Sequence, residues 1–139
     1  MSEPIRNHVD IEVRYAETDA MGIVHHSNYV VWFELARTHL CRQTGKEYAA
    51  IERDGHSLTV TRTDVRYRRP AHYGETVRVE AWIERLASRK VEFGYEVHRG
   101  EELLTTGTTE HVWIDVRGRP CRMPADVAPE FERMTGGRP

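Results

Sequence analysis

Apolar and polar residues alternate at the start of the chain, change rhythm, and then alternate again over most of its second half. Val9, Ile11, Val13 and Tyr15 are separated by polar neighbours, which is the period of a half-buried strand. From Ser27 onward the spacing lengthens. Tyr29, Phe33, Ala36 and Leu40 recur at intervals of four, three and four, so they form one stripe of a helix that should end near Gly45. Ser27 is a residue type that favours the N-cap, and a helix of about 16 residues would run roughly 24 Å at 1.5 Å per residue. A shorter helical stretch is predicted from Lys46 to Asp54, stopping at Gly55.

The period of two then returns in four segments: Ser57 to Arg69, Thr76 to Leu86, Lys90 to His98, and Leu103 to Asp115. In the second, Val77, Val79, Ala81 and Ile83 share one face. In the third, Val91, Phe93, Tyr95 and Val97 do the same. The apolar phase of the first segment shifts around Arg62, from Leu58 and Val60 to Val65 and Tyr67, which predicts a bulge or bend. The short link Arg99-Gly100-Glu101-Glu102 favours a hairpin and hence an antiparallel sheet. One long helix inserted after the first strand, followed by four strands able to shield it, is an α+β arrangement in a single domain. Residues 125–139 are expected to form a tail with a short helix led in by Pro129.

Composition narrows the partners. The chain of 139 residues carries 20 Lys+Arg against 22 Asp+Glu, a formal net charge of −2, so no global field recruits nucleic acid or an anionic membrane. Nothing in it approaches the ~18 consecutive apolar residues of a membrane span, and the start lacks a signal-like apolar core; a cytoplasmic protein is expected. Cys41 and Cys121 match no zinc or redox spacing and are read as reduced thiols. The adjacent His25 and His26 make a poor metal pair, because neighbours at a helix start point apart and no HxxxH spacing occurs; no metal site is predicted.

The chemistry concentrates between the first strand and the helix. Asp19 is followed three residues later by Gly22 and then by the N–H groups that open the helix. A carboxylate placed beside unpaired helix-start amides suits acyl transfer: the carboxylate acts as base or nucleophile, and the amides receive developing negative charge. Spacing alone favours an aspartate that only stabilises a turn. Gly22 supplies backbone freedom there.

Tyr15, Glu17, Thr18-Asp19, Gly22, Val24, His26, Ser27-Asn28-Tyr29, Phe33-Glu34 and Ala36-Arg37 closely resemble the signature of the 4-hydroxybenzoyl-CoA thioesterase family, in particular its YbgC-type acyl-CoA thioesterases. Tyr67-Arg68-Arg69-Pro70-Ala71, Tyr73-Gly74-Glu75, the stretch from Gly107 through His111-Val112 to Gly118-Arg119-Pro120, and Met123-Pro124 extend the likeness over about residues 8 to 124. The resemblance implies a hotdog fold, a curved antiparallel sheet wrapped around one long helix, and subunits joined as a dimer or tetramer. It implies hydrolysis of an acyl-CoA with Asp19 as the catalytic carboxylate, the His26 backbone N–H as the carbonyl-polarising donor, and no cofactor beyond the CoA of the substrate. Tyr15, Glu17, Asn28 and Glu34 are expected to hold the loop or cap the helix. The departures from the benzoyl-type pattern, Ala20 in place of a proline and His25-His26 in place of aromatics, leave the acyl group open.

An acyl-CoA enzyme needs cations for the CoA phosphates, and Ser88-Arg89-Lys90 is the first choice, with Arg68-Arg69 and Arg117 to Arg122 in reserve. The rival readings are a hydrolase of acyl groups carried on acyl carrier protein and a noncatalytic acyl-thioester binding protein. An intact Asp19 argues against the second.

Overall fold

A computed structural model describes residues 3–44, 51 and 53–137. Five strands, β1 (Asn7–Glu12), β2 (Ser57–Tyr67), β3 (Thr76–Leu86), β4 (Lys90–Arg99) and β5 (Glu102–Ile114), form one antiparallel sheet in the order β1-β3-β4-β5-β2. The long helix α1 (Ser27–Cys41) follows β1 in sequence, and a short helix α2 (Ala128–Met134) comes after the sheet. Most of the second helix expected between Lys46 and Asp54 lies outside the described residues.

The alternating residues do what their period requires. Val77, Val79, Ala81 and Ile83 on β3, with Val91, Phe93, Tyr95 and Val97 on β4, are all buried beneath α1. The helix answers with Tyr29, Phe33, Ala36 and Leu40, the predicted stripe, all buried. Burying the Val, Ile, Leu and Phe side chains among them stabilises by about 1.5–3 kcal/mol each relative to exposure. Close approach of helix and sheet depends on Gly107 of β5, where an added Cβ would stand 2.5 Å from the Phe33 ring. Phe33 can therefore stack flat on Tyr95, ring centroids 4.3 Å apart. The predicted bulge in β2 is present as a register shift between Val60 and Arg62.

β2 ends at Tyr67, two residues before the expected Arg69, and the bounds of β4 and β5 shift by one residue; the differences with structural consequences lie elsewhere. β1 stops at Glu12, and Tyr15 belongs to a 3₁₀ turn, Tyr15–Glu17, with its ring exposed rather than facing the core. The chain turns there because Glu17 accepts the Arg14 N–H at 2.8 Å, closing the turn before a further strand residue can pair. The helix ends at Cys41 and tightens into a 3₁₀ turn, Arg42–Thr44. The apolar core also continues past residue 124: Val127, Phe131 and Met134 are buried, Phe131 lies against Trp113, and the Ile5 N–H donates to the Met134 carbonyl at 2.9 Å. A helix that fills the core and ties down the N-terminal segment is part of the domain.

Topology sets out two ends. The β2 C-terminus, the start of β3 and the β4–β5 hairpin meet at the end where α1 begins. The β3–β4 connection lies at the other, eleven β3 residues away, or roughly 30 Å at ~3.3 Å per residue.

Candidate active site

Asp19 occupies the tip of a small hairpin. Thr18 pairs with Val24, the Asp19 N–H donates to the Ile23 carbonyl at 2.9 Å, and the Gly22 N–H donates back to the Asp19 carbonyl at 2.9 Å. Gly22 takes φ 79°, the left-handed region where side chains are strained. Its place in the turn is thus conformational, and it is not among the residues that line the cleft described below. The Met21 N–H donates to Asp19 Oδ1 at 2.9 Å, an Asx-type turn. The two readings of Asp19 fall on different oxygens. Oδ1 stabilises the turn, while Oδ2 has no partner among the described residues.

The backbone that follows is held from three sides. The His25 N–H donates to the Glu17 carbonyl at 2.8 Å, and Asn28 Nδ2 donates to that same carbonyl at 2.8 Å. The Asn28 N–H closes on the His25 carbonyl at 3.0 Å. The Ser27 N–H donates to His25 Nδ1 at 3.2 Å, so the imidazole of His25 caps the helix. Ser27, expected as the cap, is instead the first helical residue, because the turn already closes one residue earlier at His26 (φ −54°, ψ −30°). With the amides of residues 25, 27 and 28 occupied, the His26 N–H is left without an acceptor among the described residues.

Glu17 is the anchor of this arrangement. Its carboxylate is buried, with Oε2 accepting the Trp32 indole N–H at 3.0 Å and Oε1 accepting the Arg14 N–H. Burial opposes its ionisation, but hydrogen bonds from the Arg14 amide, Trp32 and the Arg14 guanidinium outweigh burial and hold the carboxyl below its ordinary range. The expected supporting roles of Glu17 and Asn28 are thus given by geometry, a bolt between the 3₁₀ turn and α1.

Asp19 and His26 share a cleft of about 280 Å³ with Tyr29, Tyr67, Arg68 and Pro70 among its walls. Tyr67 was visible in the sequence only as a strand-end residue; the signal that it belongs to the site is its place at the terminus of a strand running toward the Asp19 end. Its hydroxyl donates to the His26 carbonyl at 3.1 Å. A ladder of charges braces the rim: Arg69 pairs with Glu102, Glu102 with Arg99, and Arg99 with Glu75 and the Pro70 carbonyl. Glu75 accepts the His72 N–H, and His72 pairs with Ile23 behind the Asp19 turn. Arg68 has no anionic partner among the described residues.

Ser88, Arg89 and Lys90 stand at the far end of the sheet. The Ser88 carbonyl accepts the Met123 N–H, the Arg89 carbonyl accepts the Trp113 N–H, and Lys90 Nζ lies 3.5 Å from Glu110 Oε1. Within one protomer they are not brought to Asp19. One grouping of metal-capable side chains occurs among the described residues, Glu80, Glu96 and His98, but Arg6 already bridges the two carboxylates at 3.3 and 3.1 Å.

Comparison with known proteins then decides the family. The sequence profile of the thioesterase-like superfamily matches residues 13–131. The chain belongs to the thioesterase-like superfamily. YneP of Bacillus subtilis (strain 168), named "Putative acyl-CoA thioesterase YneP", is 43% identical over 107 residues, covering 76% of this chain and 78% of that protein. A hypothetical protein, TT1821 of Thermus thermophilus, superposes with a TM-score of 0.89 at 37% identity over 94% of this chain and 98% of that one. A DHNA-CoA thioesterase from Staphylococcus aureus superposes with a TM-score of 0.85 at 34% identity, covering 94% of this chain and 89% of that one. The five-stranded sheet with its long helix is the hotdog fold of these thioesterases, and this member is a hydrolase of the thioesterase class.

Proposed function

We propose that this thioesterase hydrolyses an acyl-CoA to the free acid and CoA in the cleft between the Asp19 turn and the start of α1. The observation that carries the reading is a carboxylate oxygen and a backbone N–H, both unpaired among the described residues, in one concave site. The thioester carbonyl oxygen accepts the His26 N–H. Asp19 Oδ2 then either attacks the acyl carbon or removes a proton from a water that does, and the tetrahedral intermediate collapses by breaking the C–S bond and expelling the CoA thiolate. If Asp19 attacks, a mixed anhydride forms and water releases the acid. The reaction as written uses no metal or cofactor beyond the substrate's own CoA.

The reading includes a homo-oligomer. β2 pairs with β5 on one side only, leaving an eleven-residue edge open, and Val30, Val31 and Leu35 are exposed on α1. A second copy adding its own edge strand and helix would cover both. Light scattering at micromolar concentration should give at least a dimer, and a monomeric mass overturns this part.

Thiol release measured over short, medium, long and aromatic acyl-CoAs tests the activity itself. Asp19→Asn keeps an acceptor for the Met21 N–H and so retains the turn. It should abolish turnover while leaving the melting temperature near the parent's. Full activity in that variant removes Asp19 from the mechanism. Hydrolysis of acyl groups only when they are attached to acyl carrier protein would move the substrate to the carrier.

A further inference from the structure

We propose that Tyr67 is a positioning residue that aims the His26 N–H, an inference that rests on the reading of His26 as the oxyanion donor. The Tyr67 hydroxyl donates to the carbonyl of the very residue whose amide has no acceptor among the described residues. His26 sits at the N-cap, ahead of the first full helical turn, where helices fray. The bond to its carbonyl holds the peptide plane between residues 26 and 27, and the Asn28 N–H and Nδ2 bonds to the His25 carbonyl hold the plane between 25 and 26 that carries the His26 N–H, so with Tyr67 in place both planes that flank the His26 Cα are anchored. An oxyanion donor is effective to the extent that its direction is set before charge develops.

Tyr67 itself is held firmly enough to do this. It is the last residue of β2, paired with Thr105 of β5. The two amides after it, from Arg68 and Arg69, both donate to the Leu104 carbonyl at 2.8 and 3.0 Å and lock the exit of the strand. Its ring meets Tyr29 edge-on at 5.4 Å and the His26 imidazole at 6.5 Å. Burial raises its phenol pKa, which keeps the proton in place as a donor through neutral pH. The contact crosses 41 residues of sequence and joins the sheet to the helix start at the reacting end of the cleft.

Tyr67→Phe isolates the hydroxyl, because the ring contacts with Tyr29 and His26 survive. Removing an oxyanion donor outright costs about 10²–10³ in kcat, so loosening one should cost about tenfold. The expected result for an acyl-CoA substrate is a kcat about tenfold down, KM within twofold, and a melting temperature close to the parent's. The His26 amide should shift in a ¹⁵N correlation spectrum. Incorporating 3-fluorotyrosine at position 67, which retains the donor but ionises at lower pH, should restore kcat near neutrality and bring its alkaline decline to lower pH, since a phenolate cannot donate. An unchanged kcat in Tyr67→Phe overturns the proposal, as does a raised KM with kcat intact, which would make Tyr67 a substrate-binding group. Tyr73→Phe, an exposed tyrosine outside the cleft, should match the parent. If Asp19→Asn turns over normally, the underlying assignment fails instead, separately from the Tyr67 result.

Discussion

At one end of the sheet Asp19, His26 and Tyr67 surround a concave cleft; at the other, Ser88 and Arg89 lie in the short connection between β3 and β4, and Lys90 opens β4. Both ends contain basic residues, carboxylates and strand termini. They differ in what is left unpaired and where it points. At the Asp19 end, Glu17, Asn28, His25 and Tyr67 engage the surrounding backbone donors and acceptors, and among the described residues the His26 N–H and Asp19 Oδ2 are left without partners. At the hairpin end, backbone groups join the connection to β5 and the chain after it, and Lys90 is paired with Glu110. A site here is built by satisfying its neighbours, since a free polar group gains direction only when the groups around it are fixed.

The comparison breaks most plainly on turnover. Asp19→Asn should lower thioester hydrolysis by at least about a thousandfold, because base or nucleophile is lost from a positioned site, whereas Ser88→Ala at the other end should change kcat by less than twofold. A steady-state assay with one acyl-CoA decides it; equal effects would mean that the two ends are not functionally distinct.

Glu17→Ala attacks the anchoring rather than the reacting group. It leaves the Trp32 indole N–H buried without its acceptor and opens the 3₁₀ turn, so it should destabilise by about 3–5 kcal/mol, as loss of one partner from a buried charged network does. Denaturant unfolding measures that loss. Turnover in the folded fraction should also fall, since the Glu17 carbonyl holds both His25 and Asn28. Normal activity at reduced stability would detach the anchor from the site.

A third difference lies in proton linkage. His111 pairs with Val91 at the start of β4, so it belongs to the hairpin half of the sheet, and it is fully buried. Burial, with the Arg37 charge nearby, lowers its pKa to about 4. The unfolded chain binds that proton near pH 6.5 and the folded chain does not, so stability falls as pH drops from about 6.5 to about 4, by roughly 3 kcal/mol in total. Unfolding free energies at pH 7, 5 and 4 should show this slope, and His111→Gln should flatten it. Glu17, whose folded pKa is depressed, adds a separate loss on further acidification through the carboxylate range.

The elements that periodicity fixes were legible in advance: α1 and its Tyr29-Phe33-Ala36-Leu40 stripe, the inner faces of β3 and β4, and the bulge before Arg62. Asp19 and His26 were legible because one short segment carries both. Tyr67 was not readable as a site residue, since its role depends on the fold bringing residue 67 to residue 26. The end of β1 was misplaced because Glu17 closes a turn by a side-chain bond that alternation does not register. The capping role of His25 was missed because Ser27 has the more usual capping chemistry, and only the geometry shows the imidazole nearer the amide.

The smallest expected effect concerns the phosphates of CoA. Lys90 is engaged by Glu110, so Arg89 is the member of the hairpin group with a charge to offer. It stands at the opposite end of β3 from the Asp19 cleft, a strand roughly 30 Å long. On the proposed oligomer, a phosphate contact from Arg89 would belong to the cleft of a neighbouring copy. Arg68, unpaired among the described residues and lining the cleft itself, is the competing choice within one protomer. An exposed charge-assisted contact is worth about 1 kcal/mol, which corresponds to about a fivefold change in KM. Arg89→Ala should raise KM for acyl-CoA by that factor with kcat unchanged, because a contact far from the reacting carbonyl is equal in ground and transition states. The change should disappear with acyl-pantetheine thioesters and shrink in high salt. It should also disappear on dilution if the oligomer dissociates. If Arg89→Ala leaves KM untouched while Arg68→Ala raises it, phosphate recognition belongs to the Asp19 end, and the hairpin end takes no part in binding substrate.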